Sequence, residues 1–148
     1  RGFRLGDEGS AARMGSEALR HVLLAADDLR PQTPLTKLIL KHFDNDPSAI
    51  TRYSVTAKGA DYGAFCPLVL EHAAKGDEVA LPIAKNAARA LLDLAHALQR
   101  HGAERIALTG GLAQVMRPWI ALEGQDPFSD PLYDAVDGAI LLAGGVVA

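Results

Sequence analysis

Near its start the sequence surrounds two adjacent carboxylates with three glycines, in the segment GFRLGDEGS at residues 2–10: Gly2, Gly6, Asp7, Glu8 and Gly9. Glycines let a backbone approach a ligand closely, and a carboxylate at a helix entrance can accept hydrogen bonds from sugar hydroxyls. The same pattern also fits helix capping by Asp7 or Ser10, with the glycines serving turns. Two adjacent acids alone do not make a catalytic pair, so a ligand loop and a structural cap both stay open.

A second glycine pair follows a short apolar run, in the segment IALTGGL at residues 106–112. Continuous apolar residues ending in a double glycine predict a buried strand that turns into a helix, the place where α/β sheets bind nucleotides. The segment has neither the lysine and hydroxyl residue of a Walker loop nor the GxGxxG dinucleotide pattern. A purely structural strand-to-helix turn is the alternative.

The histidines and the cysteine of the sequence do not have the spacing that metal binding or nucleophilic catalysis requires. The histidines, at positions 21, 42, 72, 96 and 101, form no HExxH pair and have no cysteine at metal-ligand spacing. Cys66 is the single cysteine, and the apolar Phe65 and Val69 beside it indicate a buried, inert thiol. We therefore expect no metal site and no catalytic nucleophile in this chain.

The composition of the sequence excludes some classes of binding partner. The 148 residues carry 15 basic and 18 acidic side chains, and 49% of them are hydrophobic. Scattered basic residues and near-neutral charge argue against nucleic acid or an anionic membrane as a partner, which leaves small molecules or proteins. The longest apolar run, residues 139–148, is too short to span a bilayer, and the single cysteine fits a reducing, cytoplasmic setting. Because the sequence begins at Arg1 in a glycine-rich segment, we expect it to be a fragment.

Apolar periodicity and capping residues predict one helix-rich α/β layer with few strands. The predicted helices cover residues 10–28, 34–43, 60–75, 77–101, 112–116 before Pro118, and 130–143, where Asp130 and Pro131 open the last one. Residues 106–108 are the predicted strand. Asp46 and Pro47 predict a brief capped turn, followed by residues 52–56 as either a short strand or extended chain.

Taken together, GFRLGDEGS (2–10), ALTGGLA (107–113) and DPLYDAVDGAILLA (130–143) resemble a known family. The sequence is similar to the C-terminal half of the BadF/BadG/BcrA/BcrD ATPase family, in its N-acetylglucosamine and glucosamine kinase branch. That branch lies within the superfamily of sugar kinases, heat-shock protein 70 and actin. The resemblance covers essentially the whole chain in the expected order, and GDEGS before a long helix is its most specific element.

The resemblance implies two ribonuclease H-like lobes that close on ATP, Mg²⁺ and an amino sugar, with residues 1–148 as the C-terminal lobe. The general base belongs to the N-terminal lobe, which this chain lacks, so the segment holds no catalytic residue and is expected to be inactive alone. The resemblance also favours a homodimer. It implies that Asp7, Gly2 and Gly6 form the sugar site and that Gly110, Gly111 and Leu112 line the adenosine site.

Two other functions stay open. The first is an ATPase activator of a 2-hydroxyacyl-CoA dehydratase or benzoyl-CoA reductase, although such activators carry cluster-binding cysteines and this chain has only Cys66. The second is a sugar-binding module without catalysis. The preference for an acetylated sugar is also open, because the family usually has an aromatic residue where this sequence has Arg1.

Overall fold

The computed structural model describes residues 2, 3 and 5–146, which divide into two units: unit 1 extends to Leu91, and unit 2 begins at Leu92. The described residues form eight α-helices: α1 Ala11–Ala26, α2 Pro34–His42, α3 Pro47–Thr56, α4 Gly59–Gly63, α5 Cys66–Ala74, α6 Ala80–Arg100, α7 Ala113–Glu123 and α8 Ala135–Leu142. The prediction of a helix-rich chain is confirmed. Among these helices, none is long and apolar enough to cross a membrane.

Helix α1 is the centre of unit 1. Ser10 begins it as the N-cap by accepting a 3.1 Å hydrogen bond from the Arg13 amide, and its apolar row, which includes Met14 and Val22, is fully buried. Helix α4 lies so close to α1 that a Cβ atom at Gly15 would overlap the Tyr62 carbonyl oxygen. Close backbone contact therefore joins α1 to α4, and only glycine fits at position 15.

Two predictions in unit 1 are wrong. Residues 52–56 are neither strand nor extended chain but the end of α3, which begins where the Asp46 carboxylate accepts a 2.9 Å bond from the Ser48 amide. Residues 60–75 form two helices instead of one. Pro67 lies at the start of α5. In a continuous helix its ring would clash with the carbonyl of Gly63, so the helix is interrupted between α4 and α5.

Asp77 holds two helix starts together in unit 1. Its buried carboxylate accepts amide hydrogen bonds from Leu35 of α2 at 2.9 Å and from Val79 and Ala80 at the start of α6, at 2.9 and 3.0 Å. Burial alone would raise the pKa of Asp77, but these bonds stabilise the charged form and leave its pKa below the ordinary value. Asp77, the first residue of the longest predicted helix (77–101), thus binds the amides where α6 begins, and the same side chain also fixes the start of α2.

Unit 2 departs further from the sequence prediction. The predicted strand at 106–108 makes a single isolated parallel bridge, between Ala107 and Ser129, and the described residues contain no sheet. Helix α7 does not stop before Pro118 but continues through it to Glu123. The last helix begins at Ala135 and not at residue 130, because the Asp134 carboxylate caps it with two 2.8 Å bonds from backbone amides.

Candidate functional site

The glycine-rich segment before α1 folds into a tight turn. The Gly2 carbonyl oxygen accepts hydrogen bonds from the amides of Gly6 at 3.0 Å and Leu5 at 3.2 Å, and Gly2 itself has a φ of +73° that favours glycine. The ring of Phe3 stacks on Tyr62 with 4.9 Å between centroids, which ties the turn to α4. Unit 1 thus brings Gly2, Gly6 and the neighbouring Asp7 into one compact loop.

Asp7 has an unusual backbone for a residue with a side chain. Its φ is +69°, in the left-handed region that aspartate tolerates better than most residues but that glycine prefers. Its carbonyl oxygen accepts the Ser10 amide at 3.1 Å, while its side chain is exposed and no described residue hydrogen-bonds its carboxylate. Since Ser10 and not Asp7 caps α1, helix capping does not account for this carboxylate.

Glu8, the second acid, is engaged elsewhere. Its carboxylate lies 3.4 Å from the Arg13 guanidinium, which also lies 3.7 Å from Glu17 one helical turn further along α1. The two adjacent acids therefore differ: Glu8 forms an ion pair with Arg13 of α1, and the Asp7 side chain is exposed without a described partner.

Gly9 is a packing residue that the sequence pattern does not reveal. It is buried with a φ of +80°, and a Cβ atom there would lie 3.0 Å from Cγ of Leu91 and 3.1 Å from the Ala87 carbonyl oxygen of α6. The loop is therefore anchored on α6 directly after its carboxylates. Only long-range contact makes this glycine necessary, so spacing in the sequence cannot assign it.

A cavity of about 190 Å³ lies in unit 1 between α1 and α6. Its polar side includes Glu8, Arg13 and Asn86, and its apolar side includes Met14 and Ile83. Asp7 is not among the residues that line it. The cavity and the exposed carboxylate are thus neighbouring features of the loop and not a single formed pocket.

The second predicted loop lies at the start of α7 in unit 2. Gly110 has a φ of +93°, and its carbonyl oxygen accepts the Ala113 amide at 3.0 Å, while half-buried Leu112 lies at the N-cap without a side-chain hydrogen bond. Gly111 lies outside the left-handed region, and a Cβ atom there would have no described atom within 4 Å. Neither backbone conformation nor packing requires glycine at position 111.

Arg117 of α7 orders the segment that faces this strand-like stretch. Its guanidinium donates to the Asp126 carboxylate at 2.8 Å and to the carbonyl oxygens of Phe128 at 2.9 Å and Ser129 at 3.3 Å. Ser129 in turn donates from its amide and its hydroxyl to the Ile106 carbonyl oxygen, at 2.9 and 3.1 Å. Arg117 is a positioning residue that sequence patterns do not reveal, because none of its partners lies within one helical turn.

The model of one protein family matches residues 1–143, nearly the whole chain. The chain belongs to the BadF/BadG/BcrA/BcrD ATPase family. The resemblance inferred from the three sequence segments is therefore confirmed.

Three relatives of this ATPase-family chain are informative. The chain is 39% identical over 144 residues to the glucosamine kinase GspK of Vibrio cholerae, a match that covers 97% of this chain and 49% of the relative. It is 36% identical over 94 residues to the N-acetyl-D-glucosamine kinase of Dictyostelium discoideum, covering 61% and 30%. A crystal structure from Chromobacterium violaceum, of a protein proposed to be an N-acetylglucosamine kinase, matches with a TM-score of 0.84 and 30% identity over 95% of this chain and 49% of that one. The chain spans about half the length of GspK.

This ATPase-family chain provides little for metal or thiol chemistry. Within residues 2, 3 and 5–146, no group of three His, Cys, Asp or Glu side chains is placed to hold a metal ion. Cys66 is buried, and burial raises the pKa of its thiol to about 11. The prediction of a buried thiol is confirmed, and at neutral pH that thiol is protonated.

Proposed function

We propose that the polypeptide containing this chain transfers phosphate from ATP to a hydroxyl group of glucosamine or N-acetylglucosamine. The observation that carries the proposal is Asp7, an exposed carboxylate held at a left-handed φ of +69° that helix capping does not explain. Asp28 and Asp44 share this backbone conformation, so what distinguishes Asp7 is its place in the glycine-rich loop before α1. The 39% identity to a glucosamine kinase over 97% of the chain supports the same reaction class.

In this proposal Asp7 accepts hydrogen bonds from the hydroxyls of the sugar. An ionised carboxylate accepts at two oxygens, and hydrogen bonds to a charged group contribute about 1.5–3 kcal/mol each. The turn beside this carboxylate is closed by a hydrogen bond between Gly2 and Gly6. Because neither glycine has a side chain, the turn leaves space for a sugar ring. The cost of the left-handed backbone is then offset when the sugar binds.

The nucleotide is assigned to the loop before α7. Gly110, Gly111 and Leu112 would line the adenosine site, and open space where a side chain would lie at Gly111 suits the close approach of a flat base. The general base and the phosphate-binding loops are assigned to an N-terminal, ribonuclease H-like lobe. Mg²⁺ would accompany the phosphates of ATP, and the described part of this chain offers no cluster of side chains to hold it.

Phosphoryl transfer depends on positioning and on a base that accepts the hydroxyl proton, with little covalent chemistry by the protein. A carboxylate that holds the sugar and a loop that holds the adenosine supply positioning only. We therefore propose that the 148-residue chain alone does not turn over ATP. A homodimer and a cytoplasmic location stay predictions of this proposal.

The test measures ADP release by the intact polypeptide with glucosamine, N-acetylglucosamine, glucose or no sugar, and identifies the product by mass spectrometry. We expect ADP release that depends on an amino sugar and a product heavier by one phosphate. A rate of ATP hydrolysis that does not depend on sugar would favour the activator alternative, although the single buried Cys66 argues against that function. Sugar binding without ADP release would favour the non-catalytic module.

Two glycine variants test the nucleotide half of the proposal. Gly111→Ala meets no described atom and keeps an ordinary backbone, so the fold should tolerate it while the KM for ATP rises about tenfold or more. Gly138→Ala in α8 is the matched control, because that position is also open and also outside the left-handed region. Equal KM values for the two variants would remove Gly111 from the nucleotide site.

A further inference from the structure

The position of the Asp7 carboxylate depends on the backbone on either side of it, because no described residue hydrogen-bonds that carboxylate. After Asp7, the chain is anchored where Gly9 packs against α6. Before Asp7, the two hydrogen bonds of the turn at residues 2–6 close the turn on itself and do not attach it to a helix. The turn therefore needs a second anchor, and Phe3 provides it.

Phe3 lies on one face of α4. Its ring stacks on the ring of Tyr62, with 4.9 Å between the centroids and 29° between the planes. A Cβ atom at Gly59, the first residue of α4, would lie 3.6 Å from the Cβ atom of Phe3, which is ordinary van der Waals contact. Residues three apart share a face of a helix, so Gly59 and Tyr62 form a single surface for Phe3. The turn is thus attached to α4 through the Phe3 side chain.

Tyr62 is itself fixed by contacts with other helices. It is 8% exposed, its hydroxyl donates to the Ser54 carbonyl oxygen of α3 at 3.4 Å, and its ring meets the ring of Tyr53 edge-on at 6.0 Å. Its own carbonyl oxygen lies where a Cβ atom at Gly15 of α1 would be. Edge-to-face rings at such a distance attract each other, and a close-packed interior leaves a buried ring few other rotamers. Tyr62 is therefore a rigid support for Phe3.

We propose that Tyr62 is a positioning residue for the sugar site: by supporting Phe3 it holds the turn at residues 2–6 and so sets the place of the Asp7 carboxylate. The inference rests on the proposed role of Asp7 in binding the sugar. Tyr62 acts through Phe3 and the backbone of the turn, without contact with the sugar. Displacing a positioning group by about 1 Å can cost about 100-fold in rate, so loss of this support should be measurable.

Kinetics of the intact polypeptide test the proposal with three variants. Tyr62→Leu removes the stacked ring and should raise the KM for the amino sugar about fivefold or more, while the KM for ATP changes less than about twofold. Tyr62→Phe keeps the ring and loses the bond to Ser54, so its KM for the sugar should stay within about twofold of wild type. Phe65→Leu is the matched control, because Phe65 is also buried and the described contacts of its ring do not include Phe3.

Two kinetic results would overturn the proposal. One is an equal KM for the sugar in Tyr62→Leu and Phe65→Leu. The other is a fall in kcat with both KM values unchanged, because loss of folded enzyme alone produces that pattern.

A double-mutant cycle tests whether Tyr62 acts through Asp7. In an Asp7→Asn background the positioned charge is absent, so adding Tyr62→Leu should raise the KM for the sugar less than about twofold. A full fivefold rise in that background would overturn the proposal, because Tyr62 would then act independently of the carboxylate.

Hydrogen exchange separates this inference from the proposed function, because it needs neither ATP nor sugar. The amides of Leu5 and Gly6, which donate to the Gly2 carbonyl oxygen, should exchange about tenfold or more faster in Tyr62→Leu than in Phe65→Leu. Equal exchange rates in the two variants would overturn the support of the turn by Tyr62. ADP release by the wild type that does not depend on a sugar would instead refute the proposed function, and exchange would still decide whether Tyr62 holds the turn.

Discussion

Replacing Asp7 with glycine separates a binding role from a structural one. The left-handed backbone at φ +69° costs a residue with a side chain about 1 kcal/mol, and glycine would recover that cost. Glycine also gains about 0.5–1 kcal/mol of conformational freedom in the unfolded chain, which acts in the opposite direction. Asp7→Gly should therefore change the free energy of unfolding by less than about 1 kcal/mol.

Activity should respond very differently to the same substitution. If the Asp7 carboxylate accepts two sugar hydroxyls at about 1.5–3 kcal/mol each, its removal costs about 3–6 kcal/mol of transition-state binding. That loss corresponds to a fall in kcat/KM for the sugar of at least about 100-fold. Urea unfolding gives the first quantity, and initial rates of ADP release by the intact polypeptide give the second.

The chain offers two matched controls for this substitution. Asp28 and Asp44 are also aspartates with positive φ, at +56° and +55°, and both lie outside the glycine-rich loop. Asp28→Gly and Asp44→Gly should match Asp7→Gly in stability and leave kcat/KM unchanged. The reasoning is refuted if Asp7→Gly lowers the free energy of unfolding by more than about 2 kcal/mol, or if its kcat/KM equals that of the controls.

The remaining predictions concern Asp77, Arg117 and Cys66. Asp77→Ala leaves three helix-start amides without an acceptor and should destabilise the protein by about 3 kcal/mol in urea unfolding. An effect below about 1 kcal/mol would contradict the role of Asp77 as the shared acceptor of these amides. Folding lowers the pKa of Asp77, so its contribution to the free energy of unfolding depends on pH. That contribution should be complete above about pH 4, the pKa of an unfolded aspartate, and should decline as the pH falls through the folded pKa. Unfolding curves of wild type and Asp77→Ala at several pH values measure this decline. Arg117→Lys cannot reach all the carbonyl oxygens that the guanidinium reaches, so amide exchange at residues 126–130 should rise, and unchanged exchange would contradict its positioning role. Cys66 should react with a thiol reagent at pH 8 only after unfolding, because burial and a pKa of about 11 keep it protonated; rapid labelling of the folded protein would contradict this.

Helix starts are predictable from the sequence where one side chain caps its own helix. Ser10 begins α1 and Thr33 begins α2, close to the predicted helix starts at residues 10 and 34, because each side chain accepts from an amide three residues further on. Asp46 caps in the same way, but the brief turn predicted after it continues as helix α3. Asp134 caps α8, which the sequence prediction begins too early.

The contacts that hold the site in place are beyond prediction from sequence, since they join residues far apart in the chain. Gly15 is needed for the contact between α1 and α4, and Gly9 for the contact of the loop with α6. Asp77 bonds to Leu35, 42 positions away. The apolar pattern at residues 106–108 is typical of a strand, but a strand also needs neighbours, and the described residues supply one bridge.

The most direct test of the central claim is the sugar dependence of ADP release by the intact polypeptide and by its Asp7→Asn variant. Asparagine tolerates the left-handed backbone but carries no charge, so the fold should persist while the sugar contact weakens. We expect amino-sugar-dependent ADP release by the wild type and a fall in kcat/KM of at least about tenfold in Asp7→Asn, which is the loss of one charge-assisted hydrogen bond. Equal kcat/KM values for the two proteins would contradict the assignment of Asp7 to the sugar site.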